Sequence, residues 1–124
     1  MASEAVVVLA DDLIWSTRLV TQLRAAGAAP LAVRDLAAFA AALPAARGAI
    51  VDLTARAYDG VAAVALAAGA GVATLAVGQH DDLALRRRAL EAGAQRVYAY
   101  RKLFEDGPLT LQRWLAGARS AGRT

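Results

Sequence analysis

Five short apolar runs, separated by longer stretches of helical periodicity, constrain this chain more than any other feature. The runs cover residues 5–10, 30–33, 49–53, 72–77 and 97–100. Runs of this length bounded by turn residues suit strands buried on both faces, and strands alternating with helical stretches indicate repeated βα units and a parallel sheet. The first helical stretch spans 13–26, with Leu13, Leu19, Val20 and Leu23 at helical spacing, and Gly27 stops it. Asp35 reads as the N-cap of a second helix reaching Leu43, with Pro44 just past its end. An alanine-rich helix over 60–68 breaks at 69–71, and a fourth runs from Asp81 or Asp82 to Ala92 before Gly93. Pro108 falls at or near the first turn of a last helix, and 54–59, 78–80 and 101–107 read as loops. Right-handed crossovers leave few topologies for five such units. The sheet order 2-1-3-4-5 is the commonest of them, and it places the first and third strands side by side.

The 124 residues are the size of one domain, with an expected core over about 5–118 and a frayed tail over 120–124. The chain is 58% hydrophobic, with alanine the commonest of these residues, so its helices should lie close to the sheet. The absence of cysteine excludes disulfides, zinc–thiolate sites and thiol catalysis. No apolar run is long enough to span a membrane, and Met1-Ala2-Ser3-Glu4 lacks the basic start of a signal peptide, so a cytoplasmic protein is expected. There is no G-x-S-x-G, no P-loop and no G-x-G-x-x-G after a strand, which argues against hydrolase, nucleotide and dinucleotide chemistry.

The residues that carry chemistry are aspartates at strand ends. Asp11 and Asp12 close the first run and Asp52 closes the third. In a parallel sheet, ligands bind beyond the carboxyl ends of the strands. If the two strands are neighbours, three carboxylates meet there, and crowded oxygen ligands suit a hard cation such as Mg2+.

Four stretches together resemble the receiver domain of bacterial response regulators, the CheY-like family, over nearly the whole chain. Val6-Val7-Val8-Leu9-Ala10-Asp11-Asp12 is similar to its first strand with the acidic pair, and Ile50-Val51-Asp52-Leu53 to the third strand with its phosphoacceptor. Asp59-Gly60 falls at the family's spacing after that aspartate, and Ala89-Leu90-Glu91-Ala92-Gly93-Ala94 is similar to the end of its fourth helix. The resemblance implies a flavodoxin-like (βα)5 three-layer sandwich with five parallel strands. It also implies that Asp52 accepts a phosphoryl group and that Asp11, Asp12, Asp52 and the backbone carbonyl of Thr54 hold Mg2+. At most, the activity it implies is Mg2+-dependent autophosphorylation of Asp52 from a phosphodonor; no other enzyme activity is expected.

The chain departs from that pattern at the parts that sense the phosphoryl group. The Ser or Thr that ends strand four in receivers falls on Gly78. The Lys that ends strand five falls on Tyr100 when counted from Gly93-Ala94. One inserted residue would put Arg101 there and Tyr98 in the switch-aromatic position, and two would put Lys102 there; no proline follows in any of the three registers. Arg56, in the loop after Asp52, is placed to pair with Asp52 or Asp11 and take the metal's role. Tyr98 and Tyr100 share one face of an edge strand, either as simple cover or as exposed anchors for a partner or homodimer. Arg86, Arg87, Arg88, Arg96, Arg101, Lys102 and Arg113 fall between the fourth and fifth helices, the face receivers commonly use for partners, and an acidic protein would fit it; their alternative is a solvated surface. With a net charge of +3 and no interleaved aromatic series, nucleic acid is a poor fit. His80, the single histidine, reads as an exposed loop residue, and Trp15 and Trp114 as helix packing. The leading expectation is a stand-alone pseudo-receiver that acts by protein–protein interaction. The alternative is a working single-domain response regulator phosphorylated on Asp52 by a histidine kinase, and a third reading is an unrelated flavodoxin-like domain binding a small anion.

Overall fold

The structure, a computed structural model, describes residues 5–79 and 81–121. The elements in chain order are β1 (Ala5–Leu9), α1 (Leu13–Ala25), β2 (Ala29–Val33), α2 (Leu36–Ala42) with a 3-10 turn over Leu43–Ala45, β3 (Gly48–Asp52), α3 (Gly60–Gly69), β4 (Ala73–Gly78), α4 (Leu83–Ala92), β5 (Arg96–Ala99) and α5 (Tyr100–Ala121). All pairings are parallel and the order is β2-β1-β3-β4-β5, with Val6 opposite Gly48 and Leu9 opposite Val51. This is the five-stranded flavodoxin-like sandwich that the sequence implies.

Alternate strand residues build two cores, as the period of two requires. Val6, Val8, Ile50, Leu75 and Val77 face α1 and α5, where Leu19, Leu23, Leu103, Leu111, Trp114 and Leu115 meet them. Val7, Leu9, Ala49, Val51 and Ala76 face the other side, against Phe39, Val64 and a bed of alanines, Ala63, Ala67, Ala89 and Ala94. Two glycines are set by packing. Gly93 ends α4 at φ +119°, and a Cβ there would run into the Cβ of Ala68 on α3. A Cβ on Gly48 would stand 2.7 Å from the Trp114 ring, so the indole lies directly on the β3 backbone.

Aspartates start four helices: Asp12, Asp35, Asp59 and Asp82 each accept first-turn amide N–H groups that otherwise lack partners. Asp82, not Asp81, is the cap of α4.

The end of the chain differs from the sequence reading. Strand β5 stops at Ala99, and residues 101–107 are helix rather than loop. Arg101 pairs with Glu105 and Lys102 with Asp106 at helical i,i+4 spacing, and Leu103 is fully buried, so this segment has both local and core support for a helix. The breaker Asp106-Gly107-Pro108 produces a kink at Asp106 (φ −131°, ψ 23°) instead of a separate loop. There the Leu103 carbonyl accepts a 2.5 Å hydrogen bond from Gln22 Nε2 of α1. The helix continues to Ala121, through the start of the expected tail; residues 122–124 lie outside the described residues.

Candidate functional site

Strands β1 and β3 are neighbours, so Asp11, Asp12 and Asp52 do emerge at one end of the sheet. Their side chains, however, find separate partners. Asp12 is exposed, and its Oδ1 accepts from Ile14 N–H at 2.8 Å and Trp15 N–H at 3.1 Å as the cap of α1. Asp11 Oδ2 accepts from the backbone N–H groups of Arg56 (3.1 Å) and Ala57 (3.2 Å), tying the β3–α3 loop to β1. Its backbone carbonyl accepts from the Arg34 guanidinium at 3.2 Å.

Asp52 is 1% exposed. Its Oδ1 accepts from Thr54 N–H at 2.9 Å, from the Thr54 hydroxyl at 2.7 Å, and from the Tyr100 hydroxyl in a very short hydrogen bond. The two hydroxyl oxygens are 3.2 Å apart. A buried carboxylate is costly unless donors replace its water. Here three neutral donors on one oxygen do that, and no cation is within ion-pair distance of it among the described residues.

The phenol reaches Asp52 because of the β5 register. Ala99 sits opposite Gly78, so Tyr100 comes one residue beyond the end of β4, with its ring on the same side as Tyr98. Trp15 stacks on it, with centroids 3.8 Å apart and planes at 30°, and the Arg18 guanidinium lies 5.9 Å from the Trp15 centroid. A second phenol works beneath: Tyr58 donates its one proton toward two strand-end carbonyls, Leu9 at 2.9 Å and Asp52 at 2.8 Å. Burial pushes both phenols up from their ordinary value. For Tyr100 the hydrogen bond to Asp52 and its charge add to this, and for Tyr58 the charges of Asp52 and Asp11 do. Both are therefore neutral donors at physiological pH.

Several expectations need correction. Among the described residues, no group of three or more His, Cys, Asp or Glu side chains is placed to hold a metal ion. Asp11, Asp12 and Asp52 each accept protein donors on one carboxylate oxygen: Asp12 Oδ1, Asp11 Oδ2 and Asp52 Oδ1. Thr54 reaches Asp52 through its hydroxyl and amide N–H, contacts that do not involve the carbonyl expected to serve a metal. Arg56 does not replace the metal: its side chain is exposed, and only its backbone touches Asp11. Tyr100 is not an exposed edge residue but is 7% exposed, and Tyr98 is half-buried. Tyr100 holds the strand-five position, while Arg101 and Lys102 point to Glu105 and Asp106. Gly78 is buried, and a Cβ there would meet only ordinary contacts with Leu53, at 3.5 Å, so packing alone does not exclude a Ser or Thr. Arg86, Arg87, Arg88, Arg96 and Arg113 are all exposed. His80 lies outside the described residues. Trp15 and Tyr58 are part of the site although the sequence reading did not place them there. The signal for Trp15 was its position three residues after Asp12; for Tyr58, that it is the one aromatic residue in the loop between β3 and α3.

No protein-family model and no curated protein sequence matches this chain. Solved structures do. The signal receiver domain of a modulated diguanylate cyclase from Desulfovibrio desulfuricans G20 superposes with a TM-score of 0.75 at 24% identity, covering 92% of this chain and 91% of that one. A CheY-like receiver domain protein from Methanospirillum hungatei JF-1 gives 0.77 at 16% identity, over 95% and 98%. A Burkholderia pseudomallei response regulator, solved with a phosphorylated aspartic acid and a calcium ion, gives 0.69 at 18% identity, over 77% and 59%. The structural neighbours of this chain are thus response-regulator receiver domains, and it has their fold.

Proposed function

We propose that this chain is a receiver-like signalling module whose phosphoacceptor position is closed by its own side chains, and that it acts by docking to a signalling protein in the cytoplasm rather than through a phosphoryl-driven switch. The observation that carries this is the phenol of Tyr100 on Asp52 Oδ1, in the place where the receiver resemblance calls for a lysine. Phosphoryl transfer to a carboxylate needs an exposed oxygen and a cation to offset the charge of the incoming group. Asp52 is 1% exposed, its Oδ1 receives three neutral donors, and among the described residues no group of three or more His, Cys, Asp or Glu side chains is placed to hold a metal ion. Gly78 adds no hydroxyl for a phosphoryl oxygen. The acids are kept for folding work: Asp12 caps a helix and Asp11 pins a loop.

The competing reading is a live phosphoacceptor served by a histidine kinase, and the retained strand-end aspartates favour it. A thermal-shift titration with Mg2+ and then beryllofluoride, beside an Asp52→Ala control, separates the two. The closed-pocket reading expects no stabilisation by beryllofluoride. Stabilisation that depends on Mg2+ and vanishes in the control overturns it.

A further inference from the structure

We infer that the face built from α2 and α3, with the edge strand β2 beside it, binds a second copy of this chain. The inference goes beyond the closed pocket and does not rest on it. It starts from charge. Residues 25–33, 36–46 and 60–79 contain no Asp, Glu, Lys or Arg, although the chain has 14 basic and 11 acidic residues. Those stretches hold β2, α2 and α3. Both helices pack on the same side of the sheet, in the core that contains Phe39 and Val64.

The face is low in the middle and raised at its margins. Phe39 and Leu43 anchor α2 on the sheet and leave Ala37, Ala40 and Ala41 exposed. On α3, Ala63, Val64 and Ala67 are buried, and Ala62 and Ala65 are exposed. Two leucines stand above this alanine floor. Leu66 is 42% exposed. Ala68 faces Gly93 of α4, so Leu66, two residues earlier and roughly 200° around the helix, lies on the α2 side of α3. Leu31 is 53% exposed and sits opposite Val7, which belongs to the same core as Phe39, so it stands on the α2 side of the sheet. Polar residues bound the face: Arg34 and Asp35 precede α2, Arg47 follows it, and Asp59 precedes α3. An apolar patch with a polar rim is the form of a protein contact.

Charge and shape select a second copy as the occupant. A strongly charged partner finds nothing in these helices to pair with. The exposed Arg86, Arg87, Arg88, Arg96 and Arg113 belong to α4, β5 and α5, so copies joined through α2 and α3 meet without stacking these cations on one another. A twofold contact is self-complementary, and here it seats the leucines of each copy on the alanine floor of the other. An added β-strand fits less well. The Val33 carbonyl accepts from Ala10 N–H, so by alternation Pro30 and Ala32 turn their backbone groups outward, and Pro30 has no N–H to give. Each copy offers roughly 500 Å2 of this surface. A contact of about 1,000 Å2 in total stands at the lower bound for a specific interface and belongs to weak, concentration-dependent association.

Sedimentation velocity on the full chain, from about 10 µM to about 1 mM, tests this. The expected result is a reversible dimer that added salt up to about 0.5 M does not weaken, because no ion pair holds it. Leu31→Lys/Leu66→Lys should weaken it at least about tenfold, since a twofold contact meets each new charge twice. Leu109→Lys, an equally exposed leucine on α5 outside the face, should leave it within about twofold. Should the double variant lose its native circular dichroism, Ala41→Glu on the exposed side of α2 replaces it, with the same loss expected. A monomer throughout the range, an equal loss in Leu109→Lys, or a dimer that salt dissociates overturns the inference. The beryllofluoride titration reads Asp52 alone, so either reading can fall and leave the other standing.

Discussion

Replacing Tyr100 with Phe removes one hydroxyl and little else, which makes it the sharpest test of what closes the pocket. The ring keeps its stack on Trp15 at 3.8 Å and its burial at 7% exposure, so the hydrophobic contribution is retained. What is lost is a hydrogen bond to a buried carboxylate, a class worth about 1.5–3 kcal/mol. Thr54 still supplies two donors to Asp52 Oδ1, so the acid is weakened but not stranded. Tyr100→Phe should therefore fold and should lose about 1.5–3 kcal/mol in urea unfolding. For a chain between the small and large domain classes, at roughly 3–5 °C of Tm per kcal/mol, this is a fall of roughly 5–15 °C. The cycle with Asp52→Asn supplies the attribution. If the phenol acts on the carboxylate, the two changes are non-additive by at least about 1 kcal/mol. A Tyr100→Phe variant within about 0.5 kcal/mol of the parent, or strict additivity with Asp52→Asn, would refute the reasoning.

Other outcomes follow from the same geometry. Arg56→Ala should change stability by less than about 0.5 kcal/mol, because Asp11 is bonded by the Arg56 backbone and the side chain is exposed; a loss above about 1 kcal/mol in urea would restore the guanidinium to the pocket. Gly93→Ala should cost at least about 1–3 kcal/mol, since it combines a positive φ with overlap on Ala68, whereas Gly69→Ala, with negative φ and open space, should be neutral or slightly stabilising; parallel urea curves compare them. Alkaline titration carries a definite sign. The phenols of Tyr58 and Tyr100 are raised in the folded state, so the unfolded chain loses these protons first. Their contribution is whole below the ordinary tyrosine value near ~10 and declines above it, by about 1.4 kcal/mol per pH unit for each phenol. Urea midpoints from pH 9 upward should show this decline, and Tyr58→Phe and Tyr100→Phe should each flatten it; an unchanged slope would contradict the assignment.

Much of the fold is written locally. Strand runs, glycine stops and aspartate caps are short-range signals, and handedness reduces the topologies to the one found, which brings Asp11, Asp12 and Asp52 to one end of the sheet. The chemistry of that end depends on contacts distant in sequence. Three acids at neighbouring strand ends read as a metal site, yet each finds nearby donors, in the α1 backbone, in the β3–α3 loop and in Thr54. The orientation of Arg56 is not encoded by its neighbours, because the loop satisfies Asp11 with amides. For Tyr100 the ambiguity was one of register. Without a proline or other breaker, residues 99–102 allow three alignments, and only the helix starting at Tyr100, with Trp15 of α1 stacked on its ring, decides which side chain enters. The kink shows the same division: Asp106-Gly107-Pro108 marks a break, but the bonds that keep 101–105 helical come from Glu105, Asp106 and buried Leu103.

The central claim is that Asp52 is closed to phosphoryl transfer by its own fold. Intact-mass spectrometry after incubation with acetyl phosphate and Mg2+, run beside a receiver known to phosphorylate and an Asp52→Asn variant, tests it most directly. The account predicts no phosphoryl adduct on the parent chain under conditions that label the positive control. An adduct on the parent that disappears in Asp52→Asn would contradict it and identify a working phosphoacceptor.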